Sequence, residues 1–327
     1  MKIEYYLPEK ILSNESLSDY FPGFEASKIE TKIGIRERHI VTENETALDI
    51  AYCASKKVLE GYDKSKIGFI LFCTQSPDYF LPTTACLLQE KLGLPTNVGA
   101  LDFNLGCSGF VYGLSIAKGL IQSKICDNVL LITSETYSKH IHPKDKANRS
   151  IFGDGAAAAI INSEDVDKIF NFELGTDGRG ATNLIVKNGG LRFRKQNETD
   201  DWTDESGNIR SDDHLYMNGP EIFNFTIESI PGVVKRVLEK NNLPFEKVDY
   251  FIFHQANKYM LDYLRKKIQI PTEKFYNNML FTGNTVSSTI PIALKNCMDN
   301  KMVEPGDKVL LAGFGVGYSW AATIIEI

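Results

Sequence analysis

The feature that most constrains this chain is a faint repetition of its first half in its second. The apolar, β-prone run Phe69-Ile-Leu-Phe-Cys-Thr-Gln75 leads into a helix-like stretch that closes on Leu92-Gly-Leu-Pro95. Far downstream, Tyr250-Phe-Ile-Phe-His-Gln-Ala256 leads into another, closing on Ile268-Gln-Ile-Pro271. Leu105-Gly-Cys-Ser-Gly109 is answered by Thr282-Gly-Asn-Thr-Val286, and Asn128-Val-Leu-Leu-Ile132 by Lys308-Val-Leu-Leu-Ala312. The paired segments keep one order and one spacing of about 180 residues, the mark of a duplicated unit. Equivalent loops of two such halves can converge on one site, to which the first brings Cys107 and the second His254 and Asn284.

Between these landmarks, short apolar runs alternate with amphipathic stretches. Segments 67–73, 98–103, 128–133, 156–161, 250–253 and 309–312 read as buried strands, and longer Leu-, Ala- and Lys-containing segments between them read as helices. That alternation predicts an α/β protein with both sheet faces covered. A length of 327 residues suits two units, and we place them at 1–165 and 166–327, where Asn162-Ser-Glu-Asp-Val-Asp167 interrupts the apolar pattern. The polar stretch from Lys187 to His214 has no clear period and reads as a surface excursion.

A formal net charge of -6 argues against a general nucleic-acid binder. No apolar run reaches the roughly 20 residues that span a bilayer, so no membrane insertion is expected. The start, Met1-Lys-Ile-Glu-Tyr-Tyr-Leu-Pro8, lacks the apolar core of a signal peptide. Six cysteines, at 53, 73, 86, 107, 126 and 297, are scattered without a CxxC pair. That usage fits a reducing, cytoplasmic compartment, with neither a disulfide framework nor a metal site.

Cys107 stands between a strand-like run and a helix-like run whose apolar residues Phe110, Leu114, Ala117 and Ile121 keep helical spacing. A cysteine there faces the positive end of a helix dipole, which favours thiolate. Its plain structural reading, a buried cysteine in a tight turn, has equal standing from local sequence. His254 sits at a strand exit, where α/β proteins often carry catalytic groups, and reads otherwise as a hydrogen-bonded core histidine. Asn284, in Thr282-Gly-Asn-Thr285, reads alone as a turn residue, and gains weight because the repetition sets it opposite Cys107. A papain-like protease also uses Cys, His and Asn in this order, but Cys107 lacks the sequence context of that family and a duplicated α/β pattern is wrong for it.

Seven segments together carry a resemblance: Tyr6-Leu-Pro-Glu-Lys10, Gly34-Ile-Arg-Glu-Arg-His39, Asn104-Leu-Gly-Cys-Ser-Gly109, Phe152-Gly-Asp-Gly-Ala156, His254-Gln-Ala-Asn257, Gly283-Asn-Thr285 and Gly313-Phe-Gly-Val-Gly317. The chain resembles the thiolase-fold condensing enzymes, most closely β-ketoacyl-acyl carrier protein synthase III. The resemblance implies a thiolase-like fold of two pseudo-duplicated halves in an αβαβα arrangement, and a cytoplasmic homodimer. It implies acyl transfer to Cys107, then decarboxylative condensation with a malonyl thioester whose enolate is held by His254 and Asn284. Backbone at Cys107, Gly315 and Val316 would hold the second oxyanion. Substrates would be thioesters of CoA or acyl carrier protein, and no metal or redox cofactor is implied.

The same resemblance puts Lys28 and Lys32 at the acyl-donor (CoA) mouth, where many members have Trp and Arg. It puts Lys258, Arg265, Lys266 and Lys267 at a docking patch for acyl carrier protein, although Tyr259 and Asn224 replace basic residues often found there. Leu81, expected to cross a dimer interface, and Phe314 would border the acyl pocket. Gln75 occupies what looks like the place of the glutamate base of 3-hydroxy-3-methylglutaryl-CoA synthases, which makes decarboxylation the better source of the carbanion. Related specialised acyltransferases, type III polyketide synthases and a noncatalytic partner subunit are the alternatives; retention of all three site residues speaks against the last.

Overall fold

The computed structural model describes residues 1–194 and 200–327, so part of the polar stretch, residues 195–199, lies outside the described residues. Among the described residues the strands form two main sheets. One has five strands in the order Lys2–Tyr6, Gly155–Asn162, Asn128–Glu135, Phe69–Cys73 and Gly99–Phe103. Gly155–Asn162 runs antiparallel to both its neighbours, and the last three strands are parallel. The other has four, Tyr250–Phe253, Lys308–Gly315, Ser319–Glu326 and Glu173–Thr176, parallel only at the first pair. Phe251 also makes a lone parallel bridge to Phe275, on the side where the first sheet carries Gly99–Phe103.

The duplication is written into the register. Phe69 pairs with Val129 in one sheet and Tyr250 with Val309 in the other, the same positions that correspond in the sequence. Helix ends repeat as well. Thr84–Leu92 stops at Gly93 with φ 64°, and Lys258–Ile268 stops at Gln269 with φ 64°. Leu94 N then donates to Gln89 O at 3.0 Å, and Ile270 N to Arg265 O at 2.9 Å, closing both helices in one way.

The strand Asn128–Glu135 is buried almost throughout because helices cover both faces of its sheet. Between the sheets lie Gly109–Gln122 and Thr289–Asp299, whose Phe110, Leu114, Ile290 and Leu294 share a core with Leu131 and Leu311. A Cβ on Gly113 would come within 2.4 Å of Leu131 Cδ1, so glycine sets how closely helix and sheet approach. Ala47–Val58 and Thr84–Leu92 cover the outer face of the first sheet, with Ile50 and Leu88 packed near Ile70 and Phe72. Gly219–Lys240 and Lys258–Ile268 cover the outer face of the second through Val233, Val237 and Leu264. The result is the five-layer αβαβα thiolase-like fold.

The polar excursion has an organised part. Trp202–Thr203 and Ile209–Arg210 pair antiparallel. Arg210 is buried and meets Asp145 at 2.7 Å and Asp204 at 3.0 Å. The polarity that looks like solvated surface in the sequence therefore includes a buried ionic anchor. Among the described residues no helix is long and apolar enough to cross a membrane.

Candidate active site

Cys107, His254 and Asn284 come from three separate loops and line one slim cavity of about 50 Å³. Ile151, Phe152, Met217, Ala256 and Met260 give it apolar walls. Each of the three is buried, at 6%, 2% and 4% exposure. The repetition explains the meeting. Cys107 just precedes the central helix Gly109–Gln122, and Asn284 precedes Thr289–Asp299, its counterpart between the sheets.

Asn284 is oriented by its own turn. Its backbone N–H donates to Ile151 O at 3.0 Å, and its carbonyl accepts from Gly153 N at 3.0 Å. Its side-chain Oδ1 accepts from Val286 N at 2.9 Å, which leaves the Nδ2 hydrogens as the free donors. Val286 adopts φ 56°, a left-handed conformation costly for a β-branched residue and held here in a fully packed turn. His254 follows the strand Tyr250–Phe253, and its N–H is fixed to Ala312 O at 2.8 Å. Its Nδ1 lies 2.8 Å from Thr289 Oγ1. Burial pushes its pKa down to about 3, so the imidazole is neutral.

The thiol departs from the sequence expectation. Burial, then the nearby Glu135, push the Cys107 pKa up to about 12, while the N–H groups of Cys107 and Val316 pull it down. The helix end does not win, because Ser108 is the N-cap and Cys107 lies outside the first turn. The resting Cys107 side chain is a thiol. The N–H groups of Cys107 and Val316 both point at its sulfur. Gly315 contributes space instead: a Cβ there would stand 2.9 Å from Cys107 Sγ.

Glu135 escaped the sequence reading. Fully buried, it accepts from Gln75 N at 3.2 and 3.1 Å, Ser76 Oγ at 3.3 Å and Ser287 Oγ at 2.9 Å. Burial nevertheless pushes its pKa up to about 8. The only signal in the sequence was an acid closing an apolar strand run. Phe314 is buried, lines the cavity and meets His254 edge-on at 5.8 Å. Leu81 lines neither of the two cavities that border Tyr137. Its loop leaves the body after Phe69–Cys73, and the side chain is 83% exposed.

The basic residues divide. Lys32, Lys258 and Lys266 line one surface depression of about 260 Å³ with Tyr259 and Tyr263. Phe223 stacks on Tyr259 at 5.4 Å and meets Tyr263 edge-on at 5.3 Å. Lys28 is instead paired with Glu25 at 2.7 Å in the first turn of Ala26–Ile33. Lys267 borders a separate groove with Leu238 and Phe245. Arg265 donates to Ile270 O at 3.0 Å, closing the end of its own helix.

Two family models match the chain, 3-oxoacyl-[acyl-carrier-protein] synthase III over residues 101–178 and its C-terminal model over residues 238–327. A beta-ketoacyl-[acyl-carrier-protein] synthase III of Clostridium perfringens is 35% identical, with 98% of this chain and 97% of the relative covered. A crystal structure of a 3-oxoacyl-(acyl-carrier-protein) synthase III superposes with a TM-score of 0.97 at 48% identity, covering 99% of this chain and 98% of that one. A 3-oxoacyl-(acyl-carrier protein) synthase from Burkholderia xenovorans gives 0.90 at 34% identity, covering 100% and 93%. With two halves built alike and one cysteine, one histidine and one asparagine turned into a shared cavity, this chain belongs to the β-ketoacyl-acyl carrier protein synthase III family of condensing enzymes.

Proposed function

We propose that the enzyme loads an acyl group onto Cys107 and condenses it with a malonyl thioester, losing carbon dioxide and releasing a 3-oxoacyl thioester. The observation that carries this reading is the shared cavity of Cys107, His254 and Asn284, with Asn284 turned so that its amide N–H groups are free. Cys107 attacks the acyl thioester, its proton passes to the departing thiol, and a covalent intermediate divides one hard step into two. Decarboxylation then leaves an enolate whose charge builds on the thioester oxygen. Asn284 Nδ2–H and His254 Nε2–H donate to that oxygen, and each such donor contributes roughly 3 kcal/mol. With its proton on Nε2, His254 accepts at Nδ1, and the Thr289 hydroxyl donates to it by turning its hydrogen toward the ring. The N–H groups of Cys107 and Val316 hold the acyl carbonyl oxygen. The chemistry needs no redox step, so thioesters of CoA or carrier protein are the only co-reactants.

The depression lined by Lys32, Lys258 and Lys266 supports docking of an acidic carrier protein or the phosphates of CoA. We also read the enzyme as a cytoplasmic homodimer whose halves divide near residue 165. The strand Gly99–Phe103 pairs on one side only, with Leu101 43% exposed, and Phe80 and Leu81 stand out beside the same sheet at 79% and 83%. A second copy on that edge would cover all three, and Leu81 would then border the partner's pocket. Incubation with a competent acyl thioester should add one acyl mass per chain, on the peptide containing Cys107. Carbon dioxide should then be released from a malonyl thioester. An adduct that persists at another cysteine in Cys107→Ser would overturn the assignment.

A further inference from the structure

A second cavity, of about 600 Å³, adjoins the first and shares Tyr137 and Leu184 with it. This argument rests on the proposed condensation. The carbanion must reach the acyl carbon from the cavity of His254 and Asn284, and the acyl oxygen is held by the N–H groups of Cys107 and Val316. The remaining substituent, the acyl tail, is left to leave past Gln75 and Val316, which both border the second cavity. Gln75 is close to the reacting atoms: a Cβ on Gly106 would lie 2.7 Å from its Oε1 and 2.6 Å from Val316 Cγ1.

That path is polar at its start. Tyr137 OH donates to Gln75 Oε1 at 2.7 Å, and Gln75 Nε2 donates to Asn104 Oδ1 at 3.1 Å. With the buried phenol donating, the Gln75 oxygen faces Tyr137 and its amide nitrogen faces Asn104. The chain of bonds ends on donors. One N–H of Gln75 remains, and among the described residues Asn104 Nδ2 has no protein acceptor in reach. The Lys139 ammonium, held to Glu43 O at 2.9 Å, adds positive charge to the same lining. Beyond these groups Ile185, Val186 and Leu215 give the cavity an apolar wall, and His140, Asn188 and the Asp213 carboxylate give it polar ones. An unadorned alkyl tail would strip water from the two amides and return no acceptor.

We propose that Gln75 and Asn104 select an acyl donor that carries a hydrogen-bond-accepting oxygen within its first few carbons. The experiment compares three four-carbon CoA thioesters, butanoyl, 3-hydroxybutanoyl and succinyl, by the rate at which each adds its mass to Cys107. The wild type should accept at least one oxygenated donor about tenfold or more faster than butanoyl, as a site built to pair a substrate oxygen discriminates against its absence. A hydroxyl preference identifies a neutral acceptor, and a succinyl preference identifies Lys139 as a participant. In Gln75→Leu and Asn104→Leu the ratio of oxygenated to butanoyl rates should fall toward unity. The ratio is internal to each variant, so a general loss of fold or activity cancels. A wild-type ratio at or below unity, or a ratio unchanged in both variants, overturns the proposal and leaves the condensing reading intact. Absence of any adduct on Cys107 with all three donors, while iodoacetamide still alkylates it, overturns both.

Discussion

At Thr289 a single hydroxyl hydrogen decides whether His254 is a donor or an acceptor. Its Oγ1 lies 2.8 Å from His254 Nδ1 and 3.0 Å from Val286 O, and it can donate to only one. If it must face the ring for catalysis, Thr289→Val should slow decarboxylation by about tenfold while acylation of Cys107 persists, with Thr289→Ser restoring most of the loss. His254→Ala and Asn284→Ala should each lower carbon dioxide release by about 10²–10³-fold, the usual cost of an oxyanion donor. Their double variant should fall far short of the product, because the two act on one oxygen. Parallel intact-mass and carbon dioxide measurements check all of these. Loss of acylation in His254→Ala with decarboxylation intact would instead make the histidine a base for the cysteine. The thiol offers a separate test. With its pKa pushed up to about 12, alkylation of Cys107 by iodoacetamide should rise about tenfold per pH unit through the neutral range, without a plateau. A plateau near neutrality would mean that the helix end had prevailed over burial.

The helix Lys258–Ile268 does two jobs with two faces. Met260, Leu261 and Leu264 are buried against the second sheet's outer layer, and Lys258 and Lys266 face solvent beside Tyr259. Lys258 also forms an ion pair with Asp262, one turn on. Exposed pairs of this kind stabilise little, so the charges are free to serve a partner. Lys266→Glu combined with Lys267→Glu should weaken carrier-protein binding, and wild-type affinity should fall as salt is raised. Titration by fluorescence or calorimetry measures both, and unchanged affinity in a folded double variant would move docking elsewhere. Because Lys267 borders a different groove from Lys266, the single variants should separate, with Lys266→Glu carrying most of the effect.

On the scale of the whole molecule, the site is a seam between two sheets and their central helices. Gly313 stands so close to the nucleophile loop that a Cβ would fall 2.7 Å from Cys107 O and 2.7 Å from Ser108 Cα. Ser108 Oγ and Ser319 Oγ are 2.7 Å apart across the same seam, and Thr133 Oγ1 and Ser288 Oγ are 2.9 Å apart at its other edge. Gly313→Ala should therefore cost about 1–3 kcal/mol of stability, the range for overpacking, and slow acylation as well. Thermal unfolding and the rate of adduct formation should move together. A stable variant with normal acylation would show that the seam yields more easily than its geometry implies.

The repetition in the sequence determined a great deal: an α/β class, two related sheets, and the chance that Cys107, His254 and Asn284 share a site. Apolar runs and repeated loops are local signals, and burial of an apolar strand on both faces leaves a mark that one residue's neighbours reveal. Three strands of the two main sheets left no such mark. Lys2–Tyr6 and Glu173–Thr176 are edge strands with mixed faces, and Ser319–Glu326 follows directly on the glycine loop. Tertiary structure alone decided the rest. It put Glu135 behind Cys107, turned the thiol from an expected thiolate into a buried acid, and gave Arg265 to its helix end. It also paired Lys28 with Glu25 and left Leu81 exposed. These outcomes depend on how much water each group loses and on which distant groups stand beside it. Both are properties of packing between segments that a linear pattern does not carry.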